Sequence, residues 1–441
     1  MTGTSAADAP GDANPASART TAVGQAADPR PSVAILVDDL ATWVVGGLQP
    51  TGIQRVVSEL LDTAYARTDI RAWAAVSIGG LKPGERLFIS EVSRDSLRWE
   101  VHRGGPSWKL RALRRSRAAI ARAPIPWRVR RTVKETYVRL ALRVGGIGVI
   151  ERDEAEIEPD ILLAPGYVGS RDTAARLRRL ADEGLRPRVI VYDFFPMTHP
   201  EWVVPGMDRG FAEAFDLIMP VADRIVTLSQ EVADQVVDRY PAMAGRLRVA
   251  VPTLEAHAPR PAPDRAEVPS PVDGPFVLAL STVEPRKNVG AILDAWRIVR
   301  ADPRTSGVRL VIAGRRGWKT EDLESRIARD GERLGIVRLD HLTDAQVDAL
   351  YRDCLATVHA SWAEGFGLPA RESVVRGIPT LMSSTIPRDG LPDGTYALFD
   401  PTDPTSLAAL ITDVIATRPA RTPIALGTGT GWEPVLSALV D

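Results

Sequence analysis

Short apolar runs, each followed by a stretch of helical character, recur along this chain in two series separated by a proline-rich segment, and few folds accommodate that pattern. In the first series residues 32–38 read as a strand, and residues 45–55 lead through Gly52 into a helix that runs to about Ala66. Further runs at 161–164, 189–192, 224–228 and 247–251 alternate with helical segments, as expected of a parallel α/β sheet. A second series extends from Phe276 to about Thr417, and residues 432–440 read as a last helix. Pro259, Pro261, Pro263, Pro269 and Pro271 mark the segment between the series as an interdomain linker. The length of 441 residues exceeds the usual size of one core, and 44% hydrophobic content is ample for two.

The second series carries the chemistry. After the apolar run 356–360 comes Glu364-Gly-Phe-Gly-Leu-Pro-Ala-Arg-Glu372. Gly365 and Gly367 allow a turn with close backbone approach to a ligand, and Pro369 suits the first position of a helix. Peptide N–H groups at such a helix start suit a diphosphate. Glu364 falls in the turn and Glu372 in the first helical turn, so the two face one cleft from different heights. An ionised carboxylate there accepts two hydroxyl hydrogen bonds from a vicinal diol. The alternative is that Glu372 complements the helix dipole and Glu364 is a loop acid.

Residues 276–280 read as a buried strand leading into Ser281-Thr-Val-Glu-Pro-Arg286-Lys287-Asn288 and an amphipathic helix. Two adjacent cations at the end of a parallel strand suit a diphosphate, both in a bound nucleotide and as a departing group. In the first series, Val191-Tyr-Asp193-Phe-Phe-Pro-Met-Thr-His199-Pro-Glu-Trp202 follows a strand, which directs its polar residues to the cleft at the strand's carboxyl end.

The Gly-Phe-Gly-Leu-Pro core between two glutamates with seven residues between them resembles the hallmark of the retaining glycosyltransferases of family 4. The likeness extends upstream through residues 350–361, downstream through 377–384, and to Glu-Pro-Arg286-Lys287-Asn288, which resembles the family's diphosphate-binding segment. Serine stands at 281 where the family commonly has glycine. The segment from Tyr192 resembles a mannosyltransferase-like branch; Tyr192 occupies the place where many members have a histidine, and His199 lies seven positions later.

The resemblance implies an α/β protein of the GT-B fold, two Rossmann-like domains facing a central cleft. It implies that Glu364 contacts donor sugar hydroxyls, that Glu372 binds the nucleotide ribose, and that Gly365, Phe366, Gly367 and Leu368 line the donor site. Arg286 and Lys287 then stabilise the diphosphate as the glycosidic bond breaks. Gly52 matches a glycine-rich turn facing donor and acceptor, Gly314 and Arg315 follow a strand near the nucleotide pocket, and Asp193 and His199 contact sugar or acceptor. The expected organisation is a disordered tail at 1–30, an acceptor domain at 31–258, a linker at 259–274, a donor-nucleotide domain at 275–428, and a terminal helix at 429–441 returning to the first domain.

The implied function is transfer of a hexose, mannose favoured, from a nucleotide-diphosphate sugar such as GDP-mannose to a glycan or lipid-linked acceptor, with retention and without metal or cofactor. A sugar-nucleotide epimerase, a phosphorylase, or a non-catalytic glycan- or nucleotide-binding subunit are the alternatives on such a scaffold.

Composition narrows the rest. A single cysteine, Cys354, leaves no internal disulfide and no cysteine cluster for zinc, and five scattered histidines form no metal motif. No apolar run reaches the roughly 18 residues of a membrane span, and the N-terminus lacks the pattern of a signal peptide, so a cytoplasmic location is expected. The net charge of −1 gives no bias toward nucleic acid, and no such partner is expected. Residues 103–143, however, hold thirteen Lys or Arg and one acid, Glu135. This basic segment reads either as a surface helical pair with its apolar stripe on the core or as a contact with an anionic membrane at the inner face.

Overall fold

The computed structural model describes residues 28–41, 52–79, 87–92, 149–150, 159–259 and 268–441. The basic segment at 103–143, most of the expected tail and residues 260–267 of the expected linker lie outside the described residues. Residues 31–441 belong to one compact unit that carries two sheets.

The first sheet contains β1 (Ser32–Leu36), β2 (Arg71–Gly79), β3 (Leu87–Val92), β4 (Val149–Ile150), β5 (Ile161–Ala164), β6 (Pro187–Val191), β7 (Arg224–Thr227) and β8 (Leu247–Val249). Their order is β4-β3-β2-β1-β5-β6-β7-β8. β3 runs antiparallel to β2 and β4, and the remaining pairs are parallel. Every residue of β1 is buried, because helices cover both faces of a parallel sheet and its central strands never meet water.

The second sheet is wholly parallel. It contains β9 (Phe276–Leu280), β10 (Arg309–Ala313), β11 (Ile336–Leu339), β12 (Ala356–His359), β13 (Thr380–Ser383) and β14 (Ala397–Phe399) in the order β11-β10-β9-β12-β13-β14. Counted within this half, the order is 3-2-1-4-5-6, the doubly wound arrangement with its switch point between β9 and β12. Connections leave those two strands in opposite directions, so a crevice opens at their carboxyl ends. The Arg286 and Glu364 segments emerge there.

The helix Glu433–Val440 packs on the first sheet's core. Trp432, Val435, Leu436 and Leu439 are buried together with Val33, Ile35, Val57 and Leu60. Burial of each such aliphatic side chain contributes about 1.5–3 kcal/mol, which makes this crossing a strong tie between the chain's end and its first third. Arg188 donates to the carbonyl of Leu439 at 2.8 Å and Arg224 to that of Ala438 at 3.1 Å, placing cations at the negative end of the helix.

Candidate functional site

The two loops at the switch point lock onto each other. A 3-10 turn at Pro285–Lys287 follows β9, and the N–H of Trp362 donates to the Arg286 carbonyl at 2.8 Å, fixing the turn beside the loop after β12. Arg286 Nη1 donates to Glu364 Oε2 at 2.6 Å and to the Ala363 carbonyl at 3.0 Å. Its Nε and Nη2 both reach Glu284 Oε1, at 3.1 and 2.9 Å. Lys287 Nζ pairs with Glu364 Oε1, which also accepts from Ser361 Oγ at 2.6 Å. The guanidinium lies 4.5 Å from the centroid of the Phe195 ring, across the cleft on the first half.

Each charge here is set by its neighbours. Burial by itself would raise the Glu364 carboxyl, but Arg286 and Lys287 with their hydrogen bonds hold it well below the usual carboxylate range. Burial and the adjacent Arg286 charge push the Lys287 amine down, against the pull of Glu364. Burial would lower Arg286 too, yet Glu364, Glu284 and Asp193 keep it firmly cationic. Glu364 is thus an acceptor-only group, suited to hydroxyl donors. Ser281, Lys287, His359, Ser361, Glu364 and Pro369 line one pocket at this point. Burial and the Lys287 charge push the His359 imidazole down to about 4, so it faces the pocket neutral at pH 7.

Glu372 stands apart from this cluster. The helix begins at Leu368 after Gly367, which adopts a left-handed φ of 79°, so Glu372 falls one turn deeper than the first turn expected from sequence. It accepts from Tyr351 Oη at 3.0 Å and pairs with Arg55 Nη1 at 2.7 Å. Burial would raise its carboxyl, but Arg55 and Arg376 hold it low. Arg55 comes from the helix Gly52–Ala66 of the first half, where a Cβ on Gly52 would meet Leu368.

The glycines answer packing needs within the protein. A Cβ on Gly365 would overlap the carbonyl of Tyr192, and the Gly365 carbonyl accepts from Ser229 Oγ at 2.8 Å. The glycine thereby lets the two halves touch at the mouth of the site. Gly314, at φ 133°, lies against the Ser281 backbone and holds the loop after β10 beside the loop after β9. Phe366 lies under the Arg371 guanidinium at 3.6 Å, and Arg371 ties this turn to the carbonyls of Pro387 and Asp389.

From the first half, Asp193 sits beside Gly365 within the field of Arg286 and Glu364. Burial pushes its carboxyl up to about 6, Arg286 pulls it down, and Glu364 adds to the rise. His199 lies farther out. Its ring stacks on Trp202 at 3.7 Å, with Nδ1 3.1 Å from Glu201 Oε1. The structure therefore gathers Arg286, Lys287, Glu364 and Asp193 into one cluster, puts Glu372 with Arg55 beside it, and leaves His199 at the rim. The Arg315 carbonyl accepts from the N–H of Val283 at 2.8 Å, a backbone role in the loop after β10.

Sequence reasoning missed Arg55, Glu284, Tyr351, His359 and Ser361. Arg55 had a local signal, three positions after Gly52 and so on the same helical face. Tyr351 had none, since its partner Glu372 lies 21 residues away across a strand.

Residues 262–425 match the family model described as glycosyl transferases group 1. This region is a group 1 glycosyltransferase domain. The chain is 28% identical over 235 residues to O-antigen chain mannosyltransferase B of Escherichia coli, covering 49% of this chain and 56% of that protein. It is 31% identical over 208 residues to the D-inositol 3-phosphate glycosyltransferase of Acidothermus cellulolyticus, covering 44% and 46%. The chain thus spans about half the length of these relatives. Among solved structures, sucrose-phosphate synthase from Thermosynechococcus elongatus superposes with a TM-score of 0.56 at 17% identity over 88% of this chain and 90% of that one. Anabaena HepE in complex with UDP and glucose gives 0.51 at 14% identity over 93% and 94%. These likenesses establish the GT-B fold. The resemblance to a mannosyltransferase-like branch agrees with the relatives found for the group 1 domain.

Proposed function

We propose that this protein transfers a hexose, with mannose favoured, from a nucleotide-diphosphate sugar to a glycan or lipid-linked acceptor in polysaccharide or glycolipid assembly. The observation that carries this reading is the meeting of Arg286, Lys287 and Glu364 at the switch point of the second sheet, with Asp193 facing them from the first. A diphosphate entering the crevice shares the two cations with Glu364. As the glycosidic C–O bond breaks, negative charge grows on the departing diphosphate, and Arg286 and Lys287 stabilise it where it develops. Glu364, held ionised, accepts from the donor sugar's hydroxyls and orients the anomeric carbon. The acceptor hydroxyl attacks from the leaving-group face and passes its proton to the departing phosphate oxygen, giving retention. No metal is called for in this scheme. Glu372 receives the ribose in exchange for, or together with, Arg55.

The test is calorimetric titration with GDP-, UDP- and dTDP-sugars, followed by mass spectrometry of glycosylated lipid and oligosaccharide products and NMR of the new anomeric centre. Binding and retained configuration in a new glycoside are expected. Turnover to an epimerised sugar nucleotide, or release of a sugar phosphate, points to the epimerase or phosphorylase reading, and tight binding without turnover points to a partner subunit.

The basic segment at 103–143 adds a second proposal, contact with an anionic membrane at its inner face, against the alternative of a surface helical pair with its apolar stripe on the core. Binding to vesicles rich in anionic lipid should fall with salt and on neutralising Arg114, Arg115, Arg130 and Arg131. Indifference to lipid charge overturns that placement.

A further inference from the structure

Across the cleft mouth, the described residues hold an aromatic surface that the transfer scheme leaves unused. Phe195 begins a four-residue helix, Phe195–Thr198, that ends at His199. The Phe195 ring contacts Arg286, and His199 follows Phe195 by about one helical turn along this helix. The His199 and Trp202 rings stack with an interplanar angle of 14°. One face of the imidazole is taken by the indole, yet its side chain stays 40% exposed and the flanking Glu201 carboxylate 61% exposed. Both side chains therefore keep solvent-accessible surface beside the stack.

The second half closes against this surface. Trp318 Nε1 donates to the Trp202 carbonyl at 2.6 Å, and Lys319 Nζ donates to the Glu201 carbonyl at 2.6 Å. Lys319 adopts a left-handed φ of 53° to do so, a conformation a side-chain-bearing residue rarely holds without compensating contacts. The loop that carries Trp318 runs beside the diphosphate segment: the Gly317 N–H donates to the Val283 carbonyl at 2.8 Å, one residue before Glu284. Both hydrogen bonds from this loop end on backbone carbonyls, and the Lys319 charge also bears on the Glu201 carboxylate.

We propose that the His199–Trp202 stack with Glu201 is a subsite for a pyranose ring of the acceptor, placed one sugar away from the attacking hydroxyl. A pyranose presents an apolar C–H face and an equatorial rim of hydroxyls. The stacked rings match the face, and an exposed carboxylate accepts from the rim. The clasp from Trp318 and Lys319 holds the platform beside the donor site, so acceptor occupancy and closure of the two halves favour one another. The inference rests on the glycosyltransferase reading, and it predicts an acceptor that carries a further sugar next to the residue receiving the new linkage.

The experiment is saturation-transfer-difference NMR on the full chain with GDP or UDP present, using methyl α-mannopyranoside, methyl β-glucopyranoside and methyl β-galactopyranoside as probes. At least one glycoside should receive saturation on the protons of its apolar face. Trp202→Ala should abolish the transfer while Trp202→Phe retains it, and Glu201→Gln should weaken it severalfold. Calorimetric nucleotide affinity, measured on the same samples, should change by less than about twofold in all three variants, because the clasp bonds end on backbone atoms. No transfer to any probe, or equal transfer in Trp202→Ala, overturns the subsite. Should Trp202→Ala fail to fold, Trp202→Phe and Glu201→Gln decide the matter, since a subsite elsewhere leaves both indistinguishable from wild type. Failure of the transferase reading would show separately, as a chain that binds no nucleotide while still binding the glycoside.

Discussion

The carboxyl ends of β9 and β12 and the carboxyl end of β6 face the same cleft with contrasting chemistries. On the second half, Arg286 and Lys287 are 12% exposed and Glu364 11%, and each charge finds an opposite charge within hydrogen-bond reach. On the first half, Asp193 has its carboxyl raised by burial, while His199 and Glu201 stand at the solvent edge. The contrast teaches that one side of the cleft is preorganised by mutual pairing and the other stays adaptable. In a transferase this matches a fixed leaving group and a varied acceptor, since electrostatic stabilisation needs groups already in place when charge develops.

The strongest way to break this comparison is to remove a member of the paired side. Arg286→Ala leaves Glu364 and Glu284 with one cation fewer between them, and breaking a buried pair on one side costs on the order of 3–5 kcal/mol. Thermal unfolding should register a clear drop in Tm. Nucleoside-diphosphate affinity should fall about 10- to 100-fold, from charge-assisted hydrogen bonds worth about 1.5–3 kcal/mol each. A variant with wild-type Tm and affinity would mean that the cluster is neither tight nor part of the site.

A finer division separates the two glutamates. If Glu364 holds the transferring sugar as proposed, Glu364→Gln should lower the transfer rate by more than the affinity for free nucleoside diphosphate. Glu372→Gln should weaken both alike, because the ribose is present in donor and product. The measurement is transfer rate beside calorimetric affinity for both variants. Equal loss of nucleotide binding in the two would erase the division. Glu372 also anchors Arg55 across the cleft, and Arg55 is the residue whose loss would show how far that bridge competes with the ribose.

The smallest expected effect concerns the adaptable side. Asp193 has a folded pKa of about 6 against an ordinary value near 3.8, so the folded state holds the proton more tightly than the unfolded one. Its contribution is a cost that is absent below about pH 4, grows as pH rises through 4 to 6, and is fully present above. Asp193→Asn removes that cost, and its Tm should exceed wild type at pH 7.5 and match it near pH 3.5. Glu364 acts in the opposite sense, stabilising above its unfolded value near 4.5 and losing that contribution as pH falls. A Tm difference between Asp193→Asn and wild type that does not vary with pH would show that Asp193 is not the strained acid of this cleft.

Much of this architecture was legible in the residues. Apolar runs with helical intervals announced both sheets, because a strand covered on two faces is largely apolar, as residues 33–36 of β1 and all of β9 are. Arg286, Lys287 and Glu364 could be read as a set because each follows a buried strand, and strand ends in such sheets converge on a crevice. Local sequence carries that information: a run of Val, Leu and Ala ending in a turn needs nothing distant to be recognised. The Gly365 turn was legible as a place of close approach, but not what approaches it. The carbonyl of Tyr192, from a strand more than 170 positions earlier, fills that space, and only the docking of one half on the other brings it there. The same holds for Arg55 on Glu372, Trp318 on Trp202 and the last helix on β1, contacts set by long-range packing between surfaces whose shapes no single segment encodes. By itself the sequence determined which strands form and which charges reach their ends. Tertiary structure decided which of those charges meet, because burial, desolvation and pairing depend on atoms brought together from both halves of the chain.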